Sequence, residues 1–190
     1  MQKVLITLVV NGERQQVAVA PQATLLEALR YGLGLTGSKQ GCDKGDCGAC
    51  TVLAQGEGDP MRAPILACIT LAQDAQGLRL TTIEGLAGPS GLDPLQRAFA
   101  ECGALQCGFC QPGMMLSARA LLDQCAKPTL PQIQQALSGN LCRCTGYTKI
   151  YEAVEVAAGL RQPSNRYPVP SERAPAEQPD QQQKVREIAP

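Results

Sequence analysis

The 190-residue chain contains no histidine. Imidazole is therefore excluded as a metal ligand, which rules out a Rieske-type centre, and the commonest general base of enzyme catalysis is missing too. Net charge is also absent, because 17 basic side chains balance 17 acidic ones. Aromatic residues make up 3% of the chain and no basic run is interleaved with them. We therefore expect no nucleic-acid partner.

Long apolar runs are missing as well. None approaches the roughly 20 residues that a membrane-spanning helix needs, so we expect no membrane span. Residues 1–12 show neither a signal-peptide cleavage site nor a twin-arginine pair. We accordingly expect a cytoplasmic, reducing compartment, in which the ten cysteines are available for metal rather than for disulfides.

Three of the cysteines form one compact group, Cys42-Asp-Lys-Gly-Asp-Cys47-Gly-Ala-Cys50. Four residues and then two separate them, which is the spacing of three ligands of a plant-type 2Fe–2S cluster. The glycines at 41, 45 and 48 allow tight folding and leave room for amide N–H groups near the sulfurs. Cys68 is the only candidate for a fourth ligand within the next fifty residues. A structural zinc module is disfavoured, because zinc is usually held by short-spaced pairs of ligands.

A second group consists of two close pairs, Cys107-Gly-Phe-Cys110 and Cys142-Arg-Cys144, which 31 residues separate. Four thiolates are enough for another 2Fe–2S cluster, and a zinc site with four cysteine ligands is the competing interpretation. The spacing favours iron–sulfur only modestly, because one intervening residue is unusual for either metal. Cys102 and Cys125 lie on apolar helical stripes, and we expect them to be buried core thiols.

The first half of the chain alternates strands with one helix. Residues 3–10 and 13–20 are predicted strands around Asn11-Gly12, a strong hairpin signal. Thr24 and Glu27 form a capping box at the start of a predicted helix. Further strands are predicted at 51–54, at 65–69 with Cys68 inside the strand, and at 78–83. This order predicts an α+β, ferredoxin-like (β-grasp) domain.

Beyond a glycine-rich segment the pattern becomes helical. Asp93 followed by Pro94 is a helix N-cap, and Pro112 opens a second helix. Thr129 caps a third helix, with Leu130, Ile133 and Leu137 predicted to be inside. A last helix is predicted to bury the residues at 150, 154, 157 and 158. The second half is therefore predicted to be an all-α, helical-bundle domain.

These patterns divide the chain into four parts. We expect a ferredoxin-like 2Fe–2S domain at 1–84, a linker at 85–92 and a helical 2Fe–2S domain at 93–162. Residues 163–190 are rich in proline and glutamine and lack an aliphatic pattern, so they are predicted to form a tail without a core of its own. We expect this tail to lie on a partner subunit.

Three motifs resemble those of a known family. They are Gly41-Cys-Asp-Lys-Gly-Asp-Cys-Gly-Ala-Cys-Thr51, Gln106-Cys-Gly-Phe-Cys-Gln-Pro-Gly-Met114 and Gly139-Asn-Leu-Cys-Arg-Cys-Thr-Gly-Tyr147. They are similar to motifs in the iron–sulfur subunit or domain of molybdenum hydroxylases, the xanthine dehydrogenase and aldehyde oxidoreductase family. The resemblance covers roughly residues 1–160 and extends to the small subunits of bacterial heterotrimeric members, such as those acting on aromatic acyl-CoA thioesters or purines.

The resemblance implies an electron-transfer subunit without catalytic residues of its own. A large partner subunit would hold molybdopterin, in its cytosine dinucleotide form, and a medium subunit would hold FAD. The cluster on Cys107, Cys110, Cys142 and Cys144 would lie beside the pterin, and the cluster on Cys42, Cys47, Cys50 and Cys68 would pass electrons toward flavin. The substrate would be aromatic, heterocyclic or an aldehyde, and the complex a dimer of heterotrimers.

Individual residues carry further implications of the resemblance. Gln106 matches the family's glutamine that hydrogen-bonds the pterin cofactor, and Cys144 is the ligand expected to approach the pterin most closely. Gln111 stands where many members have threonine, and we expect this difference to matter little. A free-standing double-cluster ferredoxin remains the alternative function.

Overall fold

The computed structural model describes residues 2–89 and 91–169, so residues 170–190 of the predicted tail lie outside it. Its first half contains a five-stranded sheet in the order β2-β1-β5-β3-β4. Strands β1 and β5 pair in parallel, and the other neighbours are antiparallel. The strands are β1 (Val4–Val10), β2 (Glu13–Val19), β3 (Thr51–Gln55), β4 (Ala63–Leu66) and β5 (Arg79–Thr81). Together with the helices described below, this sheet confirms the α+β class.

The hairpin of β1 and β2 forms where the sequence predicts it. Asn11 and Gly12 have φ angles of 54° and 87°, and a two-residue turn of this kind requires positive φ at both positions. The Asn11 side chain also accepts a hydrogen bond from the Thr82 backbone N–H at 2.9 Å. The turn is thereby tied to the end of β5, across the first half of the chain.

The predicted helix of the first half starts with the predicted cap. Helix α1 (Leu25–Glu27) begins after Thr24, whose hydroxyl and backbone N–H exchange hydrogen bonds with Glu27. The helix widens into a π-helical turn (Ala28–Gly32), closed by the bond from the Leu33 N–H to the Ala28 carbonyl. Its buried leucines pack on the sheet and leave Arg30 next to the cysteine loop that follows.

One detail of the predicted sheet is wrong. Cys68 lies in a turn, not in a strand, because β4 ends at Leu66. The partner strand β3 begins only at Thr51, opposite Leu66, so the ladder has no further partner residue there. The last strand, β5, lies in the middle of the sheet between β1 and β3. It lies within the predicted strand at 78–83.

The second half contains four helices within the described residues: α2 (Pro94–Glu101), α3 (Gln111–Gln124), α4 (Leu130–Leu137) and α5 (Thr148–Ala157). Asp93 caps α2 and Thr129 forms the capping box of α4, as predicted. Ile133 and Leu137 are buried, but Leu130 is 43% exposed and its predicted burial is wrong. As the first residue of α4, Leu130 lies a turn ahead of the part of the helix that reaches the core.

Each half has its own set of buried apolar side chains. A smaller group joins them, in which Leu53 of β3 contacts Leu116 and Ala120 of α3. Helix α3 therefore packs against the sheet as well as against its neighbouring helices. This contact brings the two cysteine-bearing regions to the same part of the molecule. None of the helices in the described ranges has the length and apolar character needed to span a bilayer.

Candidate iron–sulfur sites

The first candidate site is the loop between the π-helical turn and β3. The Arg30 guanidinium donates hydrogen bonds to the carbonyls of Thr36 at 2.9 Å and Ser38 at 2.6 Å. The Lys39 N–H donates to the Ala49 carbonyl at 3.0 Å. The Arg30 bonds tie the π-helical turn to the beginning of the loop, and the Lys39 bond ties that beginning to the end of the loop. The sequence did not predict that Arg30 holds this loop, because arginine is not a metal ligand and Arg30 lies outside the cysteine motif.

The four predicted thiols of this site interact with one another. Backbone N–H groups of Lys44 and Cys47 donate to the Cys42 sulfur and lower its pKa to about 6. Burial raises the pKa of Cys50 to about 12, and the neighbouring Cys68 thiol contributes to the rise. Burial also raises the pKa of Cys47, with further contributions from Cys42 and Cys68. The loop and the turn after β4 thus bring all four predicted ligands together.

This environment fits a 2Fe–2S cluster. Amide N–H groups directed at sulfur stabilise the thiolate form that iron binds. A Cβ at Gly41 would lie 2.7 Å from the Cys47 sulfur, so only glycine leaves the space beside that thiol. The thiols contact one another, but no three His, Cys, Asp or Glu side chains among the described residues are grouped closely enough to hold one metal ion. Bound iron would supply the positive charge that lets the buried thiols ionise.

The second candidate site is built from two separate loops. Cys107 and Cys110 lie between α2 and α3, and Cys142 and Cys144 lie between α4 and α5. The Cys144 and Cys107 sulfurs are 3.6 Å apart. Burial raises the pKa of Cys110 to about 12, and its contact with the Cys142 thiol adds to this effect. The fold therefore joins the two predicted pairs as well.

The loop of Cys142 is shaped by two side chains that follow it in the sequence, those of Thr145 and Tyr147. The Tyr147 hydroxyl accepts a hydrogen bond from the Cys142 N–H at 2.8 Å and donates one to the Asn140 carbonyl at 3.2 Å. Tyr147 itself has a φ of 67°, which is uncommon for a bulky residue. The Thr145 hydroxyl lies 3.1 Å from the Cys142 sulfur. Burial alone would raise the pKa of Cys142, but hydrogen bonds from Thr145 and from backbone N–H groups lower it.

The second site reaches the surface. Cys107 and Cys144 are exposed, and so is Gln106, which precedes Cys107 in the same loop. Large apolar side chains beside these cysteines are exposed too, with Phe109 at 45% and Leu141 at 57%. In the first site, by contrast, Cys50 and Cys68 are buried. The exposed side of the second site has the composition of a contact surface.

The two sites are connected by hydrogen bonds. The buried Asn140 side chain donates to the Gly48 carbonyl at 3.0 Å and to the Thr51 hydroxyl at 3.3 Å. The Leu141 N–H donates to the Cys47 carbonyl at 2.9 Å. These contacts place the loop of Cys142 directly against the loop of Cys47. No spacing in the sequence predicts this contact, although Asn140 lies inside the third motif.

Gln111 makes contacts that its position in the motif does not reveal. Its side chain is buried and donates a hydrogen bond to the Ala104 carbonyl at 2.9 Å. The same amide nitrogen lies 3.8 Å from the Cys110 sulfur. That the difference from threonine at this position matters little stays a prediction. As for the cysteines outside the two groups, Cys102 is buried as predicted, whereas Cys125 is only partly buried.

The sequence matches two family models, one in each half. Residues 8–73 match the 2Fe–2S iron–sulfur cluster binding domain, and residues 82–155 match the [2Fe-2S] binding domain. The small FeS subunit of nicotinate dehydrogenase from Eubacterium barkeri is 46% identical over 157 residues, which are 83% of this chain and 96% of that protein. The chain is a small iron–sulfur subunit of the molybdenum hydroxylase family.

Further relatives of the subunit agree with this assignment. The small subunit of nicotine 6-hydroxylase from Paenarthrobacter nicotinovorans is 47% identical over 83% of this chain and 91% of that protein. Among solved structures, quinoline 2-oxidoreductase from Pseudomonas putida 86 superposes with a TM-score of 0.77 at 41% identity, covering 84% of this chain and 96% of that chain. These relatives are oxidoreductases or their subunits, and the subunit contains two 2Fe–2S binding domains.

Proposed function

We propose that the subunit relays single electrons between two partner subunits. Electrons leave a molybdopterin site in a large subunit, pass through the second site and then the first, and reach FAD in a medium subunit. The observation that carries this proposal is the hydrogen-bonded contact between two four-cysteine sites, from Leu141 to Cys47 and from Asn140 to Gly48. A chain that holds two such sites in direct contact is suited to pass electrons through itself.

The eight cysteines hold the two clusters in this proposal. A bound 2Fe–2S cluster takes up and releases one electron at a time. Cys50 and Cys68 form the buried side of the first site, and the N–H groups around Cys42 stabilise the negative charge on its sulfur. At the second site, the Thr145 hydroxyl does the same for Cys142. The ligands of the first site are Cys42, Cys47, Cys50 and Cys68, and those of the second are Cys107, Cys110, Cys142 and Cys144.

The exposed side of the second site is proposed to face the large subunit. Gln106 would hydrogen-bond the pterin, in its cytosine dinucleotide form, and Cys144 would be the ligand nearest to it. The exposure of both residues beside Phe109 and Leu141 supports this orientation. Cluster ligands that reach the surface of an isolated subunit are accessible to a cofactor held by a partner.

The first site is proposed to lie on the flavin side. Its loop carries the exposed ion pair of Lys44 and Asp46, whose charged atoms are 3.0 Å apart. The side chains of this pair are well placed to contact a medium subunit, although an exposed pair contributes little to stability by itself. Such a position would make the first cluster the exit of the relay.

The domain division and the assembly belong to the same proposal. The domains would be 1–84 and 93–162, joined by a linker at 85–92, with the four helices acting as a bundle that holds the second cluster. Residues 163–190 would lie on a partner subunit. The complex would be a cytoplasmic dimer of heterotrimers. Because relatives are named for nicotinate, nicotine and quinoline, heterocyclic compounds are the first substrates to test.

Purification of the native protein tests the proposal. The subunit should co-purify with larger molybdenum- and flavin-containing chains and carry about four irons, two for each cluster. The reduced complex should show two distinct 2Fe–2S signals in electron paramagnetic resonance (EPR). A colourless subunit with stoichiometric zinc would contradict the cluster assignment. A two-cluster subunit that purifies alone would instead identify a free carrier.

A further inference from the structure

Gln111 brings a side-chain hydrogen-bond donor to a proposed cluster ligand. It is the first residue of α3, and its side chain is 6% exposed. The amide nitrogen lies 2.9 Å from the Ala104 carbonyl oxygen and 3.8 Å from the Cys110 sulfur. Both contacts involve acceptors, because a cysteine that binds iron is a thiolate. The two N–H bonds of one amide group can serve both acceptors.

The chemistry of the surroundings fixes the orientation of this amide. If the side chain were flipped, its oxygen would face the Ala104 carbonyl and the Cys110 sulfur, and two acceptors would repel it. In the orientation present, the Gln111 oxygen is buried without a hydrogen-bond partner in the described part of the chain. Unpartnered buried polar atoms are rare in proteins. The nitrogen therefore faces the Ala104 carbonyl and the Cys110 sulfur together, even though the oxygen is left unpaired.

We infer that Gln111 is a positioning residue that raises the reduction potential of the second cluster through its hydrogen bond to Cys110. The inference rests on the proposed function, in which Cys110 is a cluster ligand. Reduction adds an electron to the cluster and increases the negative charge on its sulfurs. A hydrogen-bond donor at sulfur stabilises this reduced state more than the oxidised one.

The direction of this effect matters for the relay. A higher potential makes the second cluster a better acceptor for electrons from the pterin side. It also makes the onward step to the first cluster less favourable. Gln111 would thereby help to set the distribution of electrons between the two clusters, although it touches neither the substrate nor the flavin.

A redox titration of the holo-complex, followed by EPR, tests the inference with Gln111→Met. Methionine has a similar length but no donor. We expect the oxidised-to-reduced ratio of the second cluster to rise about tenfold at a fixed ambient potential, which is 59 mV for one electron. The first cluster should keep its potential and serves as the internal standard. Gln124→Met makes the same change about 20 Å further along α3, at 1.5 Å per residue, and should shift neither cluster.

The outcomes separate this inference from the proposed function. Unchanged potentials in a Gln111→Met complex with about four irons would overturn the inference and leave the proposed function standing. Absence of iron from the unmutated complex would overturn the proposed function instead. If Gln111→Met lost its second cluster, Gln111→Asn would replace it, since its amide is one methylene shorter and cannot reach the sulfur. An unchanged potential in that variant would overturn the inference equally.

Discussion

The two cysteine sites are built in different ways. The first takes three of its proposed ligands from nine consecutive residues, 42–50, and the fourth from a turn of the same sheet. The second takes two pairs from loops that α3 and α4 separate along the chain. The first site is therefore largely a local structure. The second exists only where the helices pack correctly, and two of its cysteines, Cys107 and Cys144, are exposed.

The surroundings of the sulfurs differ as well. Around Cys42 the main donors are backbone N–H groups, which no substitution except one by proline removes. Around Cys110 and Cys142 they include the side chains of Gln111 and Thr145. The electronic properties of the second site can therefore change by mutation without a change of fold. The electronic properties of the first site depend on the backbone conformation of its loop.

The largest effects are expected when one ligand is removed from each site. Cys50→Ser should abolish the first cluster and Cys110→Ser the second, so that each variant keeps about two of about four irons and one EPR signal. Iron analysis and EPR of the purified complexes measure this. Cys125→Ser, at a partly buried cysteine outside both groups, is the control and should keep both clusters. If one ligand substitution removed both clusters, the sites would not be independent.

A smaller effect is expected where the two sites meet. A Cβ at Gly113 in α3 would collide with the Gly48 carbonyl and lie 3.1 Å from the Asn140 amide nitrogen. Gly113→Ala should therefore lower the free energy of unfolding by about 1–3 kcal/mol through overpacking. This loss opposes the gain of about 1 kcal/mol that alanine brings to a helix interior.

Chemical denaturation of the subunit measures this change. Gly139→Ala is the matched control, because an added Cβ there meets no atom within 4 Å. The EPR signals of both clusters should respond to Gly113→Ala, since the contact belongs to both loops. A Gly113→Ala variant about 1 kcal/mol more stable than the unmutated protein, as helix propensity alone would make it, would show that the sites do not pack tightly on each other.

The smallest effect concerns pH and is confined to the second half. Glu152 in α5 is buried, and burial alone would raise its pKa. Hydrogen bonds from the Ser164 N–H at 2.6 Å and the Lys149 ammonium at 3.0 Å outweigh burial and lower the pKa from 4.5 to about 2. Because the pKa is lower in the folded state, the ionised carboxylate stabilises the fold above about pH 4.5. This contribution is lost as the pH falls to about 2.

Thermal denaturation between pH 2 and 7 should reveal this dependence. The stability should fall mainly between pH 4.5 and about 2, the ordinary pKa of the carboxyl and its pKa in the folded state. Glu152→Gln should lose about 1–2 kcal/mol at neutral pH and show a weaker pH dependence in acid. Glu155→Gln on the same helix removes only a surface ion pair with Arg161 and should change little. If both variants behaved alike, the contact between Glu152 and Ser164 would not stabilise the helical half.

Local signals predicted most of the fold. The Asn11-Gly12 turn, the Thr24 capping box and the Asp93 cap depend on neighbouring residues alone, and all three are present. The predictions for Cys68 and Leu130 were wrong because they depended on distant parts of the chain. The first was decided by where β3 begins, and the second by how far α4 extends over the core.

The sequence by itself determined the chemistry of this subunit. Two groups of four cysteines at fixed spacings, in a chain without histidine, indicate iron–sulfur clusters. Only the tertiary structure decided how the groups relate to each other. Asn140 is 92 residues away from Gly48 along the chain, yet the two are hydrogen-bonded, and Gln111 turns toward a sulfur instead of toward solvent. Residue spacing encodes which atoms can bind iron, whereas the distance between clusters and the donors around them depend on packing between distant segments.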